Sequence, residues 1–119
     1  MVSKYRVGYA LERDIKNRLK RMNYYVIRSA KSETLCDLIA IPLKEGFEKD
    51  VLCIQCKNST VPNKLPHITQ KELSKLSKLE EHYKVKVMLA IRFRFKGRWH
   101  TLLVTPAEYR KLKNTIKMS

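Results

Sequence analysis

With 119 residues, 44% of them hydrophobic and only three glycines and four prolines, the chain is long enough for one core and too apolar for a disordered segment, so residues 1–119 read as one domain. No apolar run approaches the roughly 18 residues of a membrane span, and the start MVSKYRVGYALERD has no hydrophobic signal core, so a soluble, cytoplasmic protein is expected. Twenty-six Lys and Arg against eleven Asp and Glu leave a net charge of +15, which calls for a polyanionic partner, nucleic acid before an acidic membrane surface. The basic residues run along the whole chain and do not collect in one tail, which favours a folded surface that follows phosphates.

In chain order, residues 7–22 carry Leu11, Ile15, Leu19 and Met22 at the spacing of an amphipathic helix. YYVIRS (24–29) is a β-rich run, LCDLIAI (35–41) is a second that Pro42 closes, and EKDVLCIQCK (48–57) is a third. A turn containing Gly46 joins the last two as a hairpin. STVPNKLPH (59–67) reads as a loop, and residues 69–83 put Leu73, Leu76, Leu79 and Tyr83 on one side of a second helix. VKVMLAIRFRF (85–95) and RWHTLLV (98–104) form an antiparallel pair across Gly97, with Ile91, Phe93 and Phe95 on one face and Arg92, Arg94 and Lys96 offering charge. TPAE (105–108) then supplies a capping Thr, a first-turn Pro and a Glu at the third position, so a last helix starts there. The order αβββαββα predicts a single mixed α/β domain.

Three cysteines, an odd number, argue against a disulfide framework. Cys53 and Cys56 have CxxC spacing, but residues three apart on a strand face opposite ways and no second pair exists, so buried thiols are expected in place of zinc. His67, His82 and His100 are scattered without ligand spacing. Trp99 reads as a packed or dimer-interface aromatic before a base-stacking one.

Four polar residues break the apolar pattern. Glu12 lies beside the stripe of the first helix, and Asp37 sits inside an apolar strand, where an unpaired carboxylate is costly. Gln55 and Lys57 share a face of the third strand, because side chains alternate with period two. Across a hairpin Asp37 and Gln55 can converge into a hard-oxygen site for Mg²⁺ or Mn²⁺, with an ammonium beside it to stabilise phosphate charge. A buried Asp37–Lys57 pair with Gln55 hydrogen-bonded nearby is the bland alternative.

The segments ALERD, VIRSAKSETLCDLIAI, CIQCKNS and ITQKELSKLSKL, in this order, resemble the archaeal Holliday-junction resolvases of the PD-(D/E)xK nuclease superfamily, over about Ala10 to Val104. The resemblance implies a restriction-endonuclease-like fold, a mixed central sheet flanked by helices, and a homodimer of archaeal or viral origin. It implies an enzyme of DNA recombination and repair that binds four-way junctions and makes paired, Mg²⁺-dependent nicks, with Mn²⁺ as substitute. Position by position it assigns catalysis to Glu12, Asp37, Gln55 and Lys57, and metal binding to Glu12, Asp37, Gln55 and Cys56. Ser29 and Ser32 both fall in the loop that carries a functional serine, and either can be the equivalent. Ser32 is placed with the catalytic set and Ser29 with the DNA contacts Arg13, Arg28, Lys31, Asn58 and Gln70. Cys36 stands where the family has proline. Gln55 stands where it has glutamate, and the lost charge should weaken metal binding, Mg²⁺ more than Mn²⁺. A junction binder with weak or no cleavage, or a related nuclease of other specificity, are the competing readings.

Overall fold

The structure, a computed structural model, describes residues 4–29, 36–43 and 50–118. The elements follow the predicted order: α1 (Lys4–Arg21), β1 (Tyr24–Arg28), β2 (Leu38–Pro42), β3 (Leu52–Asn58), α2 (Gln70–Tyr83), β4 (Lys86–Phe95), β5 (Arg98–Val104) and α3 (Pro106–Met118). The five strands form one sheet in the order β1-β2-β3-β4-β5. All pairings are antiparallel except β3–β4. That parallel pair needs a crossover, and α2 supplies it.

The helices cover opposite faces. Leu11, Ile15 and Leu19 of α1 are fully buried and pack with Val26, Leu38, Ala40, Leu52 and Ile54. Leu73 and Leu76 of α2 and Tyr109 of α3 pack with Cys53, Val87, Leu89, Ile91 and Phe93 on the other side. Even-numbered residues of β3 therefore face α1 and odd-numbered ones face α2. Two predicted stripe residues lie outside the core: Met22 follows the end of α1, where Asn23 at φ +67° turns the chain, and Tyr83 is exposed on the last residue of α2. Lys96 and Gly97, at φ +50° and +78°, make the two-residue turn between β4 and β5. Trp99 is 56% exposed, with the Arg92 guanidinium 5.1 Å from its ring centroid, so it does not pack in this chain's core.

Both predicted hairpin strands start later than their apolar runs. β2 begins at Leu38 because the Asp37 amide donates to Ile54 O at 2.8 Å, one residue out of step with the Leu38–Ile54 pairing. Cys36, just before β2, lies within 5.2 Å (Cα–Cα) of Cys53, and the two form a disulfide. This corrects the expectation that the cysteines form no disulfide, and that of a buried thiol at Cys53. Cys56 is the free cysteine among the described residues.

The loop after β3 is pinned along its length. Ser59 N donates to Arg92 O (2.8 Å), Asn63 N to Arg94 O (2.7 Å), and Lys96 N to Asn63 Oδ1 (2.7 Å). The Tyr109 hydroxyl donates to Pro66 O (2.7 Å) and accepts from Ile68 N (3.3 Å). The start of α2 is thereby held beside the C-terminal end of β3. Among the described residues no helix is long and apolar enough to cross a membrane.

Candidate active site

The predicted residues gather where β2 stops pairing with β3. Asp37 Oδ2 accepts a 2.7 Å hydrogen bond from Cys56 N, so the carboxylate takes the place of a ladder partner. A strand residue points its N–H and C=O to the same edge, and the Cys56 carbonyl therefore shares the edge that Asp37 occupies. Burial raises the Asp37 pKa above the ordinary aspartate value, against the lowering effect of the Cys56 amide; Glu12 raises it further, and Lys57 and Arg28 lower it.

Gln55 and Lys57 lie on the α2 side of β3, as strand alternation predicts. Gln55 Oε1 is buried and has no hydrogen-bond partner. Such an orphan acceptor beside a half-buried carboxylate fits a hard cation, whose ligands are oxygens. Among the described residues no three His, Cys, Asp or Glu side chains gather as ligands. The oxygens that converge here are those of the Asp37 carboxylate, the Gln55 amide and the Cys56 main chain.

Glu12 reaches the site from α1 and is held by Arg28, whose Nε lies 2.6 Å from Glu12 Oε2. The Arg28 guanidinium also stacks over Tyr9 at 4.9 Å. A groove of about 150 Å³ opens beside this pair, lined by Arg13, Lys16, Lys20 and Arg28 among others, a basic strip leading to the carboxylates. A larger cleft of about 580 Å³ lies elsewhere, against α3, and no carboxylate lines it.

The other predicted residues divide. Ser29 is half-buried, and its amide donates to Asp37 O at 2.9 Å, which ties the end of β1 to Asp37. Gln70 is exposed on the first residue of α2, and Arg13 is exposed on α1. Asn58 faces α1 with its Oδ1 buried and unpartnered. The Cys56 thiol packs against the α1-side core, and burial pushes its pKa well up, with the nearby Asp37 and Glu12 carboxylates adding to the rise. Lys31 and Ser32 lie outside the described residues.

One residue escaped the sequence reading. Glu72, in the first turn of α2, places Oε2 3.6 Å from Lys57 Nζ. Its signal was the TQKE pattern that opens α2, whose glutamate is a capping residue by default.

The family model described as archaeal Holliday junction resolvase (hjc) matches residues 3–118. A curated relative, crossover junction endodeoxyribonuclease Hjc of Methanocaldococcus jannaschii, is 37% identical over 93 residues, 78% of this chain and 64% of that protein. The chain thus spans just under two thirds of that relative's length. The 1.6 Å structure of Archaeoglobus fulgidus Hjc, a Holliday junction resolvase from an archaeal hyperthermophile, aligns with a TM-score of 0.55 and 17% identity, covering 87% of this chain and 88% of that one. At that identity the likeness concerns the fold.

Proposed function

Because the chain belongs to the archaeal Holliday junction resolvase family, we propose that it is a metal-dependent endodeoxyribonuclease that resolves four-way DNA junctions by paired phosphodiester hydrolysis. The observation that carries the reading is the edge of β3, where the Asp37 carboxylate sits on the Cys56 amide and the orphan Gln55 oxygen lies one residue away, with Lys57 two further on. Asp37, Gln55 Oε1, the Cys56 carbonyl and Glu12 would hold Mg²⁺, or Mn²⁺ in its place. Such an ion supplies an acidified water and neutralises charge on the scissile phosphate. Lys57 orients the attacking water and donates to the phosphate oxygen on which charge develops. Arg28 serves twice, fixing Glu12 in place and presenting a guanidinium to the backbone of the bound strand.

Junction arms dock along the basic strip from Arg13 to Arg28, with Gln70, Asn58 and Ser29 flanking the cut strand; Lys31 and Ser32, outside the described residues, are assigned to DNA contact and catalysis by the family resemblance alone. Symmetric nicks need two sites related by a twofold axis, so the working unit is a homodimer, with exposed Trp99 and Tyr83 offered to the contact. The neutral Gln55 favours a second reading, a junction binder that cuts weakly. A labelled four-way junction and a matched linear duplex, each incubated with Mg²⁺ and with Mn²⁺, decide the matter. Junction-selective paired nicks are expected. Equal cutting of both substrates would defeat junction selectivity, and tight binding without cutting in either ion would favour the second reading.

A further inference from the structure

We propose that Glu72 is a positioning residue of this site: it supplies the negative charge that Gln55 lacks and holds Lys57 in place on β3. The inference rests on the nuclease reading above and extends it to a residue on another element.

Three observations converge on Glu72. Its amide donates to Thr69 Oγ1 at 3.1 Å, so α2 is capped, but its carboxylate does not complete the reciprocal bond and turns instead to Lys57. Second, Glu72 Oε2 is buried without a hydrogen-bond partner, because 3.6 Å from Lys57 Nζ is too long for one. A surface ion pair formed only to secure α2 would not leave a desolvated oxygen unpaired. Third, the local charge depends on it. Glu12, Lys57 and Arg28 act electrostatically on Asp37, and these four charges sum to zero; Glu72 joins the set through its pair with Lys57 and takes the sum to −1. Oxygen sites hold divalent ions more tightly as ligand charge rises. In a site with glutamine at position 55, the carboxylate that biases the balance toward a cation stands on α2.

The charge can be moved to test this. Mn²⁺ binding to the metal-free protein is measured by calorimetry, alongside junction cleavage and melting temperature, for the parent, Glu72→Gln, the swap Gln55→Glu with Glu72→Gln, and Thr69→Ala. Glu72→Gln should weaken Mn²⁺ binding about tenfold and slow cleavage by a similar factor, as loss of a supporting carboxylate does elsewhere, with junction affinity unchanged. The swap should recover most of both losses. Thr69→Ala weakens the same helix start while keeping the carboxylate, so it should lower the melting temperature and leave Mn²⁺ affinity as it was. The proposal is overturned if Glu72→Gln binds Mn²⁺ and cuts like the parent, if the swap recovers neither, or if Thr69→Ala loses Mn²⁺ affinity as well. A parent that neither binds Mn²⁺ nor cuts would instead remove the nuclease reading, and this inference with it.

Discussion

TQKE opens α2 and TPAE opens α3, and in both helices the glutamate amide donates to the threonine hydroxyl at 3.1 Å. In α3 the box closes: Glu108 Oε1 accepts from Thr105 N at 3.1 Å, and that bond, with the threonine hydroxyl, holds the Glu108 carboxyl below the usual glutamate range. In α2 the box stays half open, and Glu72 faces Lys57. The same local pattern thus serves helix stability at a helix start far from the chemistry and serves the site at the one beside it. Departures from a local rule with no local gain are where function is to be sought.

The comparison breaks first if the site that α2 adjoins does no chemistry. Asp37→Asn and Lys57→Ala should each cut the cleavage rate by about a thousandfold or more while junction affinity stays near the parent's, measured on labelled junctions by gel assay and by mobility shift. Stability should move the other way for Asp37→Asn. The folded protein raises the Asp37 pKa, so the stability linked to this group is present at low pH and is lost as pH rises through the raised value. At pH 7 without metal the ionised Asp37 is therefore a cost, and Asp37→Asn should melt higher. Adding Mn²⁺ should reverse the order, since only the parent keeps its carboxylate ligand.

A smaller effect sharpens the charge side of the contrast. Gln55→Glu alone should lower the metal concentration for half-maximal cleavage, by about tenfold if one carboxylate is what the site lacks. Unchanged metal dependence would mark Gln55 as a structural amide. Smaller again is Arg28→Ala, which should weaken junction binding and flatten the log–log salt dependence by about 0.9, one phosphate contact. A slope equal to the parent's would confine Arg28 to its ion pair with Glu12.

The smallest effect belongs to α3. Glu108→Gln should lower the melting temperature slightly and leave cleavage alone. The folded protein depresses the Glu108 pKa, so its contribution is present above the ordinary glutamate value and disappears as pH falls through the depressed one. The difference between parent and variant should vanish in acid, and a difference that persists there would mean the charge is not what matters.

Much of this was legible from periodicity, because helix stripes and strand alternation are local. The spacing of Leu11, Ile15 and Leu19 placed α1, and period two placed Gln55 and Lys57 on one face; all three stripe residues are fully buried. TPAE announced α3 correctly because its capping bonds close within four residues. What stayed hidden depends on distance in the chain. The Cys36–Cys53 bond joins residues 17 apart in the chain, and neither LCDLIAI nor CIQCKNS signals that they meet. The Arg28–Glu12 pair depends on how α1 lies across β1. The Lys57–Glu72 pair depends on where a two-proline loop delivers the start of α2, so TQKE could be read only as a cap.

That loop carries a consequence of its own. Its Ser59 and Asn63 amides donate to carbonyls of β4, and Asn63 in turn receives the amide of Lys96 at the hairpin tip. Segments of this kind ordinarily trade their amide protons with solvent quickly, because local opening costs little. Here the two loop amides are bonded to the sheet's longest strand, and the Asn63 side chain holds its turn, so their release requires that end of the sheet to open with them. Hydrogen exchange should therefore find slow protons in a stretch that looks like coil. Their rates should track those of β4, which makes them a clock for the opening of the strand that supports the active-site edge.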